Sequence, residues 1–542
     1  MLEERKTIES RLSASPEVYR HTKFMARFEK AFPWLLVGGA VLGLLETYRK
    51  NANDRAKSNA DIKAALKNQE HQTEVLKERK AERRERYTKA VEQLGNEKAP
   101  VRMGGVYTLI GLADEWLLDE NLDYAEKVRE GQVIINNLCA YIRSPFTLTS
   151  YYDELSEDAP SLEGSYKDKK EEFYVDKAIL DSEADVRLSI IKEIHDRIQV
   201  PDKNTPGAWS DFEYDFSGST FFYPIDLTNS YYAKPINFSG STYKGWANFT
   251  DSTYQALANF TGSTYQALAN FTGSTYEDEA YFTDSTYQGW ANFRGSTYEG
   301  WADFTGSTYQ ALADFTDSTY EGWANFSDST YQGWAYFTDS TYKSEADFTD
   351  STYRDRADFG NSIYQEEADL SRSTYEGWAD FTDSTYKSGA YFTDSIYNDV
   401  ADFSGSIFYQ KVYFGADGDN NSFSRFTGCA PQFYDETNRK NTLFGSPDND
   451  FSVENGRGYP IYRNLEGLPL GCAFLTAEQK EYLADKFQEI DETKNKFREV
   501  KDPKEKAELS KNLQAFNEEL YEWRKEATMV KVEGTASGEE DN

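Results

Sequence analysis

"ADFTDSTYKSG", residues 379–389, is one of a long series of near-copies of a single eleven-residue phrase. Its relatives include "ANFTGSTYQAL" (258–268), "AYFTDSTYQGW" (280–290) and "ADFTGSTYQAL" (302–312). Aligned, the phrases place Phe216, Leu227, Phe238, Phe249 and so on at every eleventh residue to Phe414, with Leu370 as the second substitute. Five residues after each comes an aromatic: Tyr243, Tyr254 and onward to Tyr397 and Phe408. Ala precedes most of the Phe positions by two, and Ser precedes each Tyr by two. Each phrase is therefore two units, "A-D/N-F-T-D/G" and "S-T-Y-x-x-x".

A unit of five or six residues cannot close a core alone. Successive units must stack, passing backbone hydrogen bonds from coil to coil, so the repeat itself demands a solenoid. Large aromatics then line the axis and small residues turn the corners. Buried Tyr hydroxyls need partners, which conflicts with an inward position unless they reach backbone carbonyls or solvent at the corners.

The pattern resembles the pentapeptide-repeat proteins, most of all their eleven-residue variant of alternating five- and six-residue units. The resemblance spans residues 216–414. It implies a mainly β fold, a right-handed quadrilateral β-helix. The central Phe or Tyr and the small residue two before it would point inward. Phe249, Phe260, Phe271, Phe304, Phe315, Phe348 and Phe381, with Tyr254, Tyr265, Tyr320 and Tyr386, are the expected structural core. The block "RERYTKAVEQLGNEKAPVRMGGVYTL" (84–109), with the apolar run before it, also resembles the front half of membrane-anchored bacterial members.

Four-sidedness can be tested on the sequence. If one coil holds two phrases, residues 22 apart lie above one another. The residue before each inward Ala then forms two separate files. One reads Trp246, Leu268, Trp290, Leu312, Trp334, Arg356, Trp378, Val400, apolar at seven of eight positions. The other reads Leu257, Glu279, Trp301, Trp323, Glu345, Glu367, Gly389, Lys411, apolar at three of eight. The files differ, as a 22-residue coil requires. Residues 216–414 then make about nine coils, rising about 43 Å at ~4.8 Å per coil. The apolar file is the candidate partner-binding edge (Trp246, Leu268, Trp290, Leu312, Trp334, Trp378), because Trp dominates binding hot spots. The alternative is that these side chains fold over the corner and shield the coil below.

With 93 acidic and 59 basic residues among 542, the formal charge is −34, which argues against direct nucleic-acid binding. Residues 216–414 hold 27 acidic and 9 basic residues, a net of −18. B-DNA over ~43 Å carries about 25 negative charges. Some pentapeptide-repeat proteins are DNA mimics that bind DNA gyrase, and an acidic mimic of this kind is the alternative function. Against it, the Asp and Asn before each Phe fall on two opposite faces.

Cys139, Cys429 and Cys472 are too scattered for a disulfide framework, and His21, His71 and His195 lie outside the repeats. No catalytic, metal or cofactor constellation is found. The Thr ladders invite comparison with ice-binding solenoids, but Thr also favours strands. "DGDNNS" (417–422) begins like a calcium loop and lacks its Gly and Glu.

Residues 1–30 are a tail. "AFPWLLVGGAVLGLL" (31–45) is uncharged, and extension to Tyr48 makes 31–48 a candidate single membrane anchor with Trp34 and Tyr48 near its ends. Basic residues within twenty positions number five on each side, so orientation stays open. Residues 49–94, without Gly or Pro, read as a long solvated helix or coiled stalk. Residues 95–205 read as a helical domain capping the solenoid (206–414), followed by an irregular connection (415–475). A helical hairpin follows over 476–526, with a Thr476–Gln479 capping box and Pro503 opening its second helix. The hairpin is expected to cap the open end of the solenoid or to form a homodimer, and 527–542 is a disordered tail. The sum is a non-enzymatic scaffold at a bacterial cell membrane, the bulk of it cytoplasmic, binding a protein partner along the solenoid.

Overall fold

Each Ala-Asx pair and each Thr-Tyr pair of the phrase is a two-residue strand, and every strand pairs in parallel with its counterpart 22 residues away, as in Ala269↔Ala291 and Tyr265↔Tyr287. The computed structural model describes residues 37–199, 205–415, 423–454, 456–500 and 503–530. Four strands complete a coil, and stacking of coils builds four parallel sheets of ten, ten, nine and eleven strands. We number the faces in chain order. Face 1 begins at Tyr214–Asp215, face 2 at Thr220–Phe221, face 3 at Ile225–Asp226 and face 4 at Tyr231–Tyr232. The coil thus holds two phrases, as the two files require.

Each letter of the phrase has a physical role. Phe249, Phe260, Phe271, Phe304, Phe315, Phe348 and Phe381 are fully buried, as are Tyr254, Tyr265, Tyr320, Tyr386 and the inward Ala residues. Phe rings of successive coils stack at 4.9 Å (Phe271–Phe293), and those of opposite faces meet edge-on at 5.1 Å (Phe271–Phe282). The Asx side chain accepts from the amide two residues on, as Asn248 does from Thr250 at 3.2 Å, which fixes the corner. The next corner residue is left-handed: Asp251 has φ 56° and Gly262 φ 66°. The sequence places Gly, Asp or Asn there because these residues tolerate that conformation, with Arg372 the exception. The buried Ser closes the remaining gap. Ser274 Oγ donates to the carbonyl of Phe249 at 2.9 Å and accepts from the Ser252 amide at 3.3 Å.

The core keeps the conflict that buried Tyr hydroxyls raise. Among the described residues, hydroxyls of the stacked tyrosines, Tyr243 through Tyr397, are buried with no hydrogen-bond partner. Rings stacked at 4.8–4.9 Å align the phenols in columns along the axis. Burial pushes the phenols of Tyr254 and Tyr265 well above their ordinary range.

Helix α1 (Val37–Leu94) is exposed along most of its described length. Among the described residues no helix is long and apolar enough to cross a membrane. Of the anchor expected at 31–48, residues 31–36 lie outside the described residues and the rest opens α1. The N-terminal tail (1–30), the acidic loop 417–422 and residues 531–542 also lie outside them.

Helices α2 (Ala99–Leu117), α3 (Tyr124–Arg143), α4 (Tyr152–Leu155) and α5 (Lys170–Ile198) share one continuous core with the first coil. Trp209 is the pivot. It is fully buried, its indole donates to Asp114 at 2.9 Å, and the Arg197 guanidinium lies 4.8 Å over its ring. His195 reaches the carbonyl of Thr228 on face 3 at 2.7 Å.

At the C-terminal end the arrangement differs from expectation. The hairpin of α6 (Ala477–Glu499) and α7 (Pro503–Thr528) does not close the mouth of the solenoid. It lies along face 4, where Leu483, Phe487, Ile490, Leu513 and Leu520 pack on Ile363, Ile407 and Leu443. The mouth is closed by the irregular connection instead. Register steps lengthen from 22 residues to 29 at Ile396↔Arg425 and 36 at Ile407↔Leu443. Phe433 stacks on Phe403 at 5.0 Å, Phe444 on Phe408 at 5.4 Å, and Phe451 packs edge-on against Phe444. Aromatic cover there leaves the hairpin free to seal a side.

Candidate interaction surface

Alternation along a strand decides what face 3 shows to solvent. With each Ala inward, the residues on both sides of it point out. Face 3 therefore carries two outer columns. One is the file Trp246, Leu268, Trp290, Leu312, Trp334, Arg356, Trp378 and Val400. Beside it runs Asn248, Asn270, Asn292, Asp314, Tyr336, Asp358, Asp380 and Asp402. The file's backbone belongs to the ladder, since Trp290 and Leu312 carbonyls accept from Ala269 and Ala291 at 2.9 Å. These side chains ride on a rigid support.

The two readings of the file resolve toward exposure. Trp246, Leu268, Trp290, Trp334 and Trp378 are 40 to 62 % exposed, and Leu312 is half-buried. Each Trp follows a Gly for a steric reason. A Cβ on Gly289 would lie 2.4 Å from the Ala267 carbonyl carbon in the coil below, so the corner before Trp290 must stay bare.

Arg356 interrupts the file and shows what the surface holds. Its guanidinium lies 4.8 Å over the Trp378 ring, and Nη2 donates to Asp358 at 2.7 Å and Asp380 at 2.9 Å. Asp358 is pushed up to about 6, by burial first and by the neighbouring Asp380 charge, with Arg356 partly opposing. Sequence reading treated Arg356 as a break. The signal available was the Asp two residues after it and the Trp and Asp of the next coil.

Face 1 is different. Trp301 and Trp323 stack at 5.2 Å, and beyond them Glu345 is pushed up by burial and by Glu367, Asp347 and Asp369. Face 2 presents the Thr ladder. Face 4 is partly sealed: α7 supplies Asn517 to Thr341 Oγ1 at 3.0 Å and Arg524 to Thr385 Oγ1 at 3.3 Å, while Lys387 pairs with Asp491 at 2.7 Å. Burial lowers Arg524 to about 10. None of these docking residues was singled out in the sequence. A partial signal lay in the phrase, where "STY" becomes "SIY" at Ile363 and "SIF" at Ile407, although Ile396 makes the same change on face 2 away from the hairpin.

Cys139 is buried and pushed up to about 12. Among the described residues no group of three or more His, Cys, Asp or Glu is placed to hold a metal ion. In comparisons with known proteins, the family of pentapeptide repeats (nine copies) matches residues 266–308. No curated protein and no solved structure matches the chain.

Proposed function

The chain is a pentapeptide-repeat protein, and we propose that it is a membrane-tethered scaffold that binds a protein partner along face 3. β-Solenoids of this family are generally non-enzymatic, and extended rigid surfaces are what they offer. The observation carrying this reading is the row of half-exposed Trp and Leu side chains mounted on ladder backbone. Isolated exposed apolar residues are ordinary, but an aligned row of large ones on one face marks an interaction site. Tethering rests on the uncharged run at 31–45, and the cytoplasmic side on the absence of a disulfide framework.

The acidic DNA mimic remains the competing function. It is disfavoured by the placement of Asx columns on faces 1 and 3, separated by the Thr-Tyr faces, because a duplex mimic needs one continuous charged surface. Carbonate extraction of cell membranes with a C-terminal tag tests the scaffold. Retention in the pellet, with the tag shielded in sealed vesicles whose inner face is cytoplasmic, is the expected result. Full release, together with inhibition of gyrase supercoiling by the purified chain, would move the mimic to first place.

A further inference from the structure

Within the scaffold reading, on which it rests, we propose that face 3 between Trp246 and Trp334 receives an uncharged, proline-rich segment of the protein partner. The segment lies in the extended polyproline conformation. Tryptophan rings pack on its pyrrolidine rings, and side-chain N–H groups of the adjacent column donate to its backbone carbonyls. The chain itself sets the limit of this stretch. Beyond Trp334, Arg356 lies over the Trp378 ring and bridges Asp358 and Asp380, so those groups already have a partner.

What stays open on this stretch is a set of donors. Oδ1 of Asn248 accepts both the amide and the hydroxyl of Thr250, at 3.2 and 2.6 Å, and Oδ1 of Asn270 does the same for Thr272. Oδ1 of Asn292 accepts the Arg294 amide at 3.1 Å. These corner turns occupy the acceptors and fix which side of each amide is nitrogen. Among the described residues, Nδ2 of the three asparagines has no hydrogen-bond partner and is open to solvent. The indole N–H groups of Trp246, Trp290 and Trp334, which can only donate, have none among them either. Asp314, the one carboxylate between Asn292 and Tyr336, is already engaged. It takes the Thr316 amide at 3.0 Å, and its charge is met by the Arg294 guanidinium, which pairs with Asp317 at 2.5 Å.

Apolar rings beside unspent donors select an occupant rich in acceptors and poor in donors. An ordinary peptide brings an N–H at nearly every residue, and the carbonyls of face 3 are held in its own ladder, as Leu268 and Trp290 are by the Ala247 and Ala269 amides at 2.9 Å. Proline brings a carbonyl and an apolar ring and no N–H. In the polyproline conformation its carbonyls make no internal bonds, so they are free to accept. At the far end Tyr336 stands edge-on to Trp334 at 6.0 Å, and the two rings make a corner for one pyrrolidine. From Trp246 to Trp334 the file crosses four coil steps, about 20 Å at the 4.9 Å ring repeat, which a polyproline chain spans in about six residues at ~3.1 Å each.

The test uses the full chain and two labelled, end-blocked, uncharged ten-residue peptides, an oligoproline and a glycine–serine repeat. Fluorescence anisotropy at low and physiological salt reads both. The oligoproline is expected to bind about tenfold tighter, by the same factor at either salt because neither peptide is charged. Asn248→Asp with Asn270→Asp and Asn292→Asp keeps the corner turns, since the phrase itself carries Asp at 314, and exchanges each donor for an acceptor. That variant should remove most of the advantage, as should Trp290→Ala, while Trp323→Ala on face 1 leaves it intact. Unchanged unfolding midpoints verify that the variants fold. Equal binding of the two peptides, binding untouched by the asparagine variant, or equal loss from Trp323→Ala overturns the proposal. A photo-crosslinking residue at position 312 in cells separates the two levels of the argument. Capture of a partner there alongside equal peptide binding would sink the proline-rich segment and leave the scaffold standing. Absence of cross-links from position 312 and from matched positions on the other faces would sink both.

Discussion

Faces 3 and 4 are written with the same phrase, yet face 4 is roofed for part of its length by α6 and α7 while face 3 carries its large apolar residues bare. On face 4 two of the roofed outward positions change from Thr to Ile, at 363 and 407, while Thr341 and Thr385 keep the phrase and bond to α7, and Leu443 continues the row. Those side chains are buried under the hairpin. On face 3 the outward residues are larger still, and Trp246, Leu268, Trp290, Trp334 and Trp378 stay substantially exposed, with Arg356 lying over the Trp378 ring. A departure toward apolar at an outward position of a repeat thus has two outcomes. Where the chain supplies its own cover, the departure is structural. Where it supplies none, the residue stays open to the partner proposed above.

The sharpest way to break this comparison is to loosen the roof. Phe487 is buried, edge-on to Tyr409 at 5.2 Å, with the Lys387 ammonium 5.5 Å over its ring. Phe487→Ala should cost about 3–5 kcal/mol locally. Protease should then cut within 476–530 before it cuts the solenoid, and a dye for exposed apolar surface should bind. If the variant matches the parent in both assays, the hairpin is not a cover and the comparison with face 3 loses its meaning.

The second effect concerns charge. Asp358 is raised to about 6 in the folded chain, above its ordinary 3.8. The folded state therefore holds more protons than the unfolded one between these values. Its contribution to stability is fully present below about pH 4 and is lost as pH rises through about 6. Asp358→Asn should flatten the fall in unfolding midpoint between pH 4 and 6, an effect of order 1–2 kcal/mol. A slope unchanged by the substitution would mean that another group carries it. On face 1, Glu345 is raised by burial and its acidic neighbours and contributes in the same direction.

How much of this was legible in the sequence depends on whether a residue's role repeats. Phe, Tyr and inward Ala recur every eleven residues, and the contrast between the Trp246 and Leu257 files revealed the 22-residue coil. The left-handed corner was equally written, as the Gly/Asp alternation at 262 and 251, but needed φ to be understood. The hairpin's placement was not legible, because amphipathic stripes on α6 and α7 name no partner. Ile363 and Ile407 hint at one, but Ile396 makes the same change on face 2. The C-terminal closure was hidden for another reason. Phe433, Phe444 and Phe451 continue the aromatic columns across register steps too irregular for a period to show.

A smaller effect tests the core against its own polar atoms. Among the described residues the buried hydroxyl of Tyr320 has no hydrogen-bond partner, between rings of Tyr298 and Tyr342 stacked at 4.9 Å. Phe221 and Phe408 already occupy equivalent positions in the two columns. Tyr320→Phe should therefore stabilise by about 1 kcal/mol, since it removes an unsatisfied hydroxyl and keeps the stack. Ser274→Ala, which removes a satisfied one, should destabilise by a similar amount. Denaturant unfolding that ranks the two in the opposite order would show that the phenols are bonded in solution.

The smallest expected effect is the most telling about face 3. Trp290 is the most exposed of the file, and among the described residues its ring enters no aromatic stacking, so Trp290→Ala should change stability by less than about 0.5 kcal/mol. A tryptophan shielding the coil below would cost several times that when removed. The neighbouring Gly289→Ala supplies the contrast, because its Cβ would strike the Ala267 backbone and force the corner to shift. If the glycine variant loses stability and the tryptophan variant does not, the corner is built to present the ring rather than to be stabilised by it. Equal losses at both positions would instead make the file a shield for the coils, and face 3 would need no partner.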